Sequence, residues 1–102
     1  MVGRKEVQVE RTGPLEVTFV AELQKSPAKG GWHFVVWPHS ADFFGTRGLV
    51  KVRGFMDDQP FQSAFMAMGG GVHKLPVATK ILRRLGKSPG DAVTVPLDER
   101  MG

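Results

Sequence analysis

Apolar residues recur at every second position over much of this chain and at helical spacing over one short stretch. Leu15, Val17, Phe19 and Ala21 alternate with Glu16, Thr18, Val20 and Glu22, the period of a strand with one buried face. A weaker alternation sets Val7 and Val9 against Glu6, Gln8 and Glu10 until Arg11-Thr12-Gly13-Pro14 interrupts it, and residues 1–4 are expected to fray. After a connection over Gln24–Gly31, Trp32-His33-Phe34-Val35-Val36-Trp37 is rich in aromatic and β-branched residues and predicts a central strand ended by Pro38. Ser40 then reads as the N-cap of one helical turn over 40–44, closed by Gly45. Its two phenylalanines, Phe43 and Phe44, suggest a plug over an apolar opening.

Leu49, Lys51 and Arg53 alternate with Val50 and Val52 across Gly48–Gly54. The turn Met56-Asp57-Asp58-Gln59 joins this strand to Pro60–Ala67, which sets Phe61, Ser63 and Phe65 opposite Gln62, Ala64 and Met66, so the two form a hairpin. Next comes Met68-Gly69-Gly70-Gly71-Val72-His73-Lys74-Leu75-Pro76, in which three glycines free the backbone and a short strand is possible over Val72–Leu75. Val77, Ile81, Leu82 and Leu85 then make the apolar stripe of a helix over 77–85, with Pro76 fixing its first turn and Gly86 ending it. Val93 and Val95 face inward on a last strand, Ala92–Leu97. About six short strands and one helix predict a mainly β domain, a small closed or double-split β-barrel spanning 1–102.

Composition narrows the chemistry. With no cysteine in 102 residues, disulfides, thiolate nucleophiles and cysteine metal sites are excluded. No apolar run reaches the roughly 18 residues of a transmembrane helix, and charges occupy the place of a signal peptide's hydrophobic region, so a cytoplasmic protein is expected. A formal net charge of +4 favours anionic partners, but the basic residues are spread over the chain, as on an ordinary solvated surface. His33, His39 and His73 have no histidine partner at ligand spacing, so neither metal nor cofactor is expected. Ser40 and Ser63 lack a nucleophile-elbow context, and no carboxylate pair is placed for glycoside hydrolysis.

Several segments in this order resemble the YdeI/OmpD-associated domain-of-unknown-function family over about residues 15–99. They are Phe-Gly-Thr-Arg-Gly-Leu-Val-Lys-Val-Arg-Gly (44–54), Pro-Phe-Gln-Ser (60–63), Gly-Gly-Gly-Val-His-Lys-Leu-Pro-Val (69–77) and Leu-Gly-Lys-Ser-Pro-Gly-Asp-Ala-Val-Thr-Val (85–95), preceded by the Trp/Phe strand that ends in proline. The resemblance implies a double-split β-barrel similar to the AbrB/MazE transcription-factor barrel. It carries no catalytic residues, and it implies a loose association with tolerance of antimicrobial peptides. Asp57-Asp58 and Phe65-Met66-Ala67-Met68 depart from the family pattern and imply a more apolar pocket.

The resulting expectation is a non-enzymatic bacterial binding module for a small-molecule or peptide-like ligand. The glycine loop, including Gly70 and Gly71, would rim the site, because converging backbone N–H groups suit an anion as well as a tight barrel corner. Trp37, Phe65 and Met68 would enclose the ligand, Arg53 and Lys80 anchor it, and His73 donate or accept a hydrogen bond. The same aromatics would equally fill a barrel core, and His73 would equally serve as a structural imidazole. A second expectation is a nucleic-acid-binding regulator using Arg47, Lys51, Arg83, Arg84 and Lys87. A third is a small enzyme with His73 as general acid/base. The expected assembly is a monomer, or a weak homodimer through Trp32–Trp37.

Overall fold

The computed structural model describes residues 12–27, 31–67 and 73–102. Seven strands and two short helices follow in the order β1 (Gly13–Glu22), β2 (Gln24–Lys25), β3 (His33–Trp37), α1 (Ser40–Phe44), β4 (Val50–Met56), β5 (Gln59–Ala67), β6 (His73–Val77), α2 (Thr79–Leu85) and β7 (Ala92–Arg100). The strands lie in the order β1-β7-β4-β5-β6-β3-β2 and curl into a half-barrel. All their pairings are antiparallel.

The two-residue period did most of this work. On β1 the even positions from Pro14 to Glu22 are exposed, while Leu15, Val17 and Ala21 are half-buried and Phe19 is buried. Val50, Val52 and Met56 of β4, Phe61 and Phe65 of β5, Leu75 and Val77 of β6, and Val93, Val95 and Leu97 of β7 supply the core. These inward rows become one continuous apolar interior only because the sheet curls. Burying such rows stabilises the chain by about 25 cal/mol per Å² of apolar surface removed from water.

The curl brings opposite ends of the sheet together. β1 continues into β2 through Leu23, whose backbone N–H donates to the Asp91 carbonyl at 2.8 Å and whose carbonyl accepts from the Gly90 N–H at 2.8 Å. With the bend pinned there, Phe19 of β1 stacks on Trp37 of β3, centroids 4.8 Å apart.

Four details differ from the sequence reading, and some expectations fall on residues that are not described. A seventh strand, β2, forms inside the expected loop by pairing Gln24 with Phe34 and Lys25 with His33, so β3 has a partner on each side. Pro76 does not open the helix: β6 runs to Val77, Pro76 sits opposite Phe34, and α2 begins at Thr79. The apolar run Leu75-Pro76-Val77 finds a neighbour in β3, and extended pairing wins over an early helical turn. Ser40 lies within α1 rather than capping it, since its hydroxyl is engaged by His73. β7 runs on to Arg100, held by pairing with both β1 and β4. Finally, the alternation at Val7 and Val9, the fraying expected of 1–4 and the glycine loop with Met68, Gly70 and Gly71 lie outside the described residues. The left-handed ends of both helices, at Gly45 (φ 71°) and Gly86 (φ 63°), match expectation.

Candidate functional site

β5 and β6 pair over only two residues each, Met66 with Lys74 and Ala67 with His73. Beyond that point the two strands diverge. Continuing that register would bring Pro76 of β6 opposite Ala64 of β5, and Pro76 has no backbone N–H to donate. One side-chain bond crosses the gap, from the Ser63 hydroxyl to the Pro76 carbonyl at 3.3 Å.

Helix α2 lies beside this split and leaves a cavity of about 680 Å³ between itself, β5 and β6. Its apolar lining includes Trp32, Met56, Phe61, Val77, Ile81 and Leu82. Met56, Phe61, Val77 and Ile81 are buried and belong to the core, so the cavity floor is the edge of the core itself. Polar groups come from His33, Gln62, Ser63, Thr79 and Lys80, of which Gln62, Thr79 and Lys80 are exposed. A mainly apolar concavity of several hundred Å³ with a few polar groups at its mouth is the usual form of a small-molecule site.

The residues singled out in the sequence divide among three places. Trp37, Phe65 and His73 do come together, but as part of the interior. Phe65 and His73 are wholly buried and Trp37 is 9 % exposed. The Trp37 ring contacts Phe19, Phe43, Phe44 and Phe65, and the Phe65 and His73 rings lie 5.9 Å apart. His73 shares a 3.0 Å hydrogen bond through Nδ1 with the equally buried Ser40 hydroxyl. Its Nε2 has no hydrogen-bond partner among the described residues. General acid/base work needs contact with substrate, and the side chains around this imidazole close it off from solvent.

Arg53 lies on the outer face of β4, where its guanidinium meets the Glu99 carboxylate at 2.5 Å. Lys80 alone of the expected ligand set lines the cavity, and Met68, Gly70 and Gly71 are not among the described residues.

The basic residues are similarly divided. Arg47 and Lys51 are exposed on the α1–β4 connection and β4, and Arg83 and Arg84 are exposed on α2. Lys87 is engaged by Asp57 at 2.6 Å, so its charge is already met within the chain. Burial raises the Asp57 carboxyl's pKa, but hydrogen bonds from Lys87 and the Thr94 N–H outweigh it and hold that pKa below the ordinary 3.8.

Two features escaped the sequence reading. The cavity residues Met56, Phe61, Gln62, Ser63, Thr79 and Ile81 were legible only as strand, turn and helix positions, and Pro76, read as opening the helix, gave no signal of a broken ladder. Arg100 lies beyond the last strand expected from the sequence, Ala92–Leu97. It is buried at 7 % exposure, with its guanidinium 5.5 Å from the Phe44 ring centroid and Nη1 donating to the Phe44 carbonyl at 3.5 Å. A cation at the last carbonyl of α1 is favourably placed against the helix dipole.

Among the described residues, no three His, Asp or Glu side chains converge as metal ligands, and no helix is long and apolar enough to cross a membrane. A family profile described as a domain of unknown function (DUF1905) matches residues 19–97, from the core residue Phe19 to the core residue Leu97. A search of curated proteins finds no match.

Proposed function

The chain belongs to the DUF1905 family, a domain of unknown function whose description prescribes no chemistry, and from the geometry of its split we propose that it is a non-enzymatic binding module for a small molecule. The supporting observation is the cavity of about 680 Å³ between β5, β6 and α2. Closing the split would have gained ladder hydrogen bonds, to which Pro76 has no N–H to contribute.

Between a small molecule and a peptide, the lips favour the former. An extended peptide adds to a sheet edge by exchanging main-chain hydrogen bonds. Pro60 and Pro76 remove donors from the edges it would need, and edge prolines discourage strand addition. The proposed site is distinct from the Trp37–Phe65–His73 group, none of which lines the cavity, and of the expected anchors it keeps Lys80.

The finer likeness to YdeI/OmpD-associated proteins, with its link to antimicrobial tolerance in a bacterial cytoplasm, fits a sequestering role for an amphiphilic compound. The nucleic-acid reading has less support, because Lys87, one of its five expected residues, already meets the carboxylate of Asp57.

Backbone amide spectra recorded with a panel of small metabolites and amphiphilic antibiotics test the proposal. At least one compound should move Gln62, Ser63, Thr79 and Ile81 together, and lose affinity in Ala78→Phe, which narrows the mouth from an exposed position. A panel that leaves those amides still, or a shift that Ala78→Phe retains, would remove the cavity from consideration.

A further inference from the structure

The charge around the cavity is one-sided. No Asp or Glu is among the described residues that line it, whereas Lys80 and His33 are. Among the described residues Lys80 has no ion-pair or hydrogen-bond partner, unlike Lys87 and Arg53, which find carboxylates. The helix gives Lys80 no help: α2 has no acidic residue in its first turn to offset the lysine there. A cation in the first turn opposes the helix dipole, so its place at the mouth costs stability that no ion pair among the described residues returns.

Below the mouth the walls are apolar and buried, formed by Met56, Phe61, Val77 and Ile81. A ligand that satisfied both regions would carry one negative charge at one end and a hydrocarbon body at the other. A dianion such as a phosphate monoester is less well matched, because a single lysine leaves its second charge against apolar walls, where an unpaired charge is expensive.

Resting on the binding-module reading, we infer that the cavity takes apolar monocarboxylic acids, with Lys80 pairing the carboxylate at the mouth and Met56, Phe61, Val77 and Ile81 enclosing the tail. Gln62 and Thr79, exposed on either side of the mouth, are the further donors within the lining. Lys80 therefore decides between an acid and its neutral analogue, and the floor decides tail length.

The test compares phenylbutyrate and decanoate, each with its own primary amide, by amide chemical-shift titration of the full chain. Wild type, Lys80→Met and Ala78→Phe are measured. Lys80→Met keeps the length of the stem and removes the charge at an exposed position, and its spectrum verifies the fold. Each acid should bind about five- to tenfold more tightly than its amide, the range of an ion-assisted hydrogen bond partly screened by water. In Lys80→Met that preference should vanish while amide binding persists. Acid and amide binding equally well, with both lost in Ala78→Phe, would overturn the charge selection and leave the cavity intact as a site. No binding by any of the four probes, or binding that Ala78→Phe keeps, would overturn the cavity reading and the inference with it.

Discussion

The indole of Trp37 lies flat against the phenyl ring of Phe19, with centroids 4.8 Å apart and planes 3° from parallel. The two rings belong to strands far apart in the order of the sheet, β1 at one end and β3 next to the other. Their contact is therefore a measure of curl: if the sheet flattened, it would be lost.

Trp37→Ala should destabilise the domain by about 3–5 kcal/mol, the cost of removing a large buried aromatic. Trp32→Ala, at a residue 40 % exposed, should cost much less. Urea unfolding of the two variants, compared at equal slope, measures the difference, and equal losses would mean that the stack does not hold the curl.

Ser40 and His73 tie α1 to the start of β6 through a buried bond. Ser40→Ala strands the imidazole Nδ1 and should cost about 1–3 kcal/mol. Pairing it with His73→Phe should cost less than the two single changes added together, because the second substitution removes the atom that the first left unsatisfied. A double-mutant cycle by chemical denaturation gives the coupling.

Gly54 is buried where β4 crosses β7, and a Cβ there would overlap the Pro96 carbonyl oxygen and lie 2.9 Å from the Leu97 Cα. Both obstacles are backbone, so neither can rotate away. Gly54→Ala should cost at least about 1–3 kcal/mol through overpacking, whereas Gly48→Ala, whose Cβ would meet nothing nearer than the Thr46 hydroxyl at 3.4 Å, should change stability little. Melting temperatures of the two variants decide.

Asp57 holds the β4–β5 turn against β7, with its carboxylate on Lys87 and the Thr94 N–H and its own N–H on the Thr94 carbonyl. Its folded pKa is depressed, so the unfolded chain binds the proton more readily. The stabilisation is accordingly complete above the ordinary value of 3.8 and is lost as pH falls through the lowered folded value. Asp57→Asn, which tolerates the same positive φ of 55°, should be less stable than wild type at neutral pH and should lose part of the fall in stability on acidification. Unfolding free energies across the acid range give the two slopes.

The alternation of Leu15 to Glu22, Leu49 to Arg53 and Phe61 to Met66 was enough to name strands and their two faces, because side chains on a strand must take turns and water rejects one set of them. Gly45 and Gly86 likewise announced the helix ends, since a left-handed residue is cheapest without a Cβ. Local sequence also put Trp37, Phe65 and His73 together, although it could not say whether they would line an opening or fill it. That choice belongs to the curl of the sheet, which turns the inner row into a core once Phe19 arrives from β1 to cover Trp37. The position of the open space was equally out of reach: it lies where two strands part beside a helix, and the distance between strands depends on every pairing in the sheet. Pro60 and Pro76 each mark a missing donor, but only the tertiary structure brings both of them, with Lys80, to the lining of one cavity.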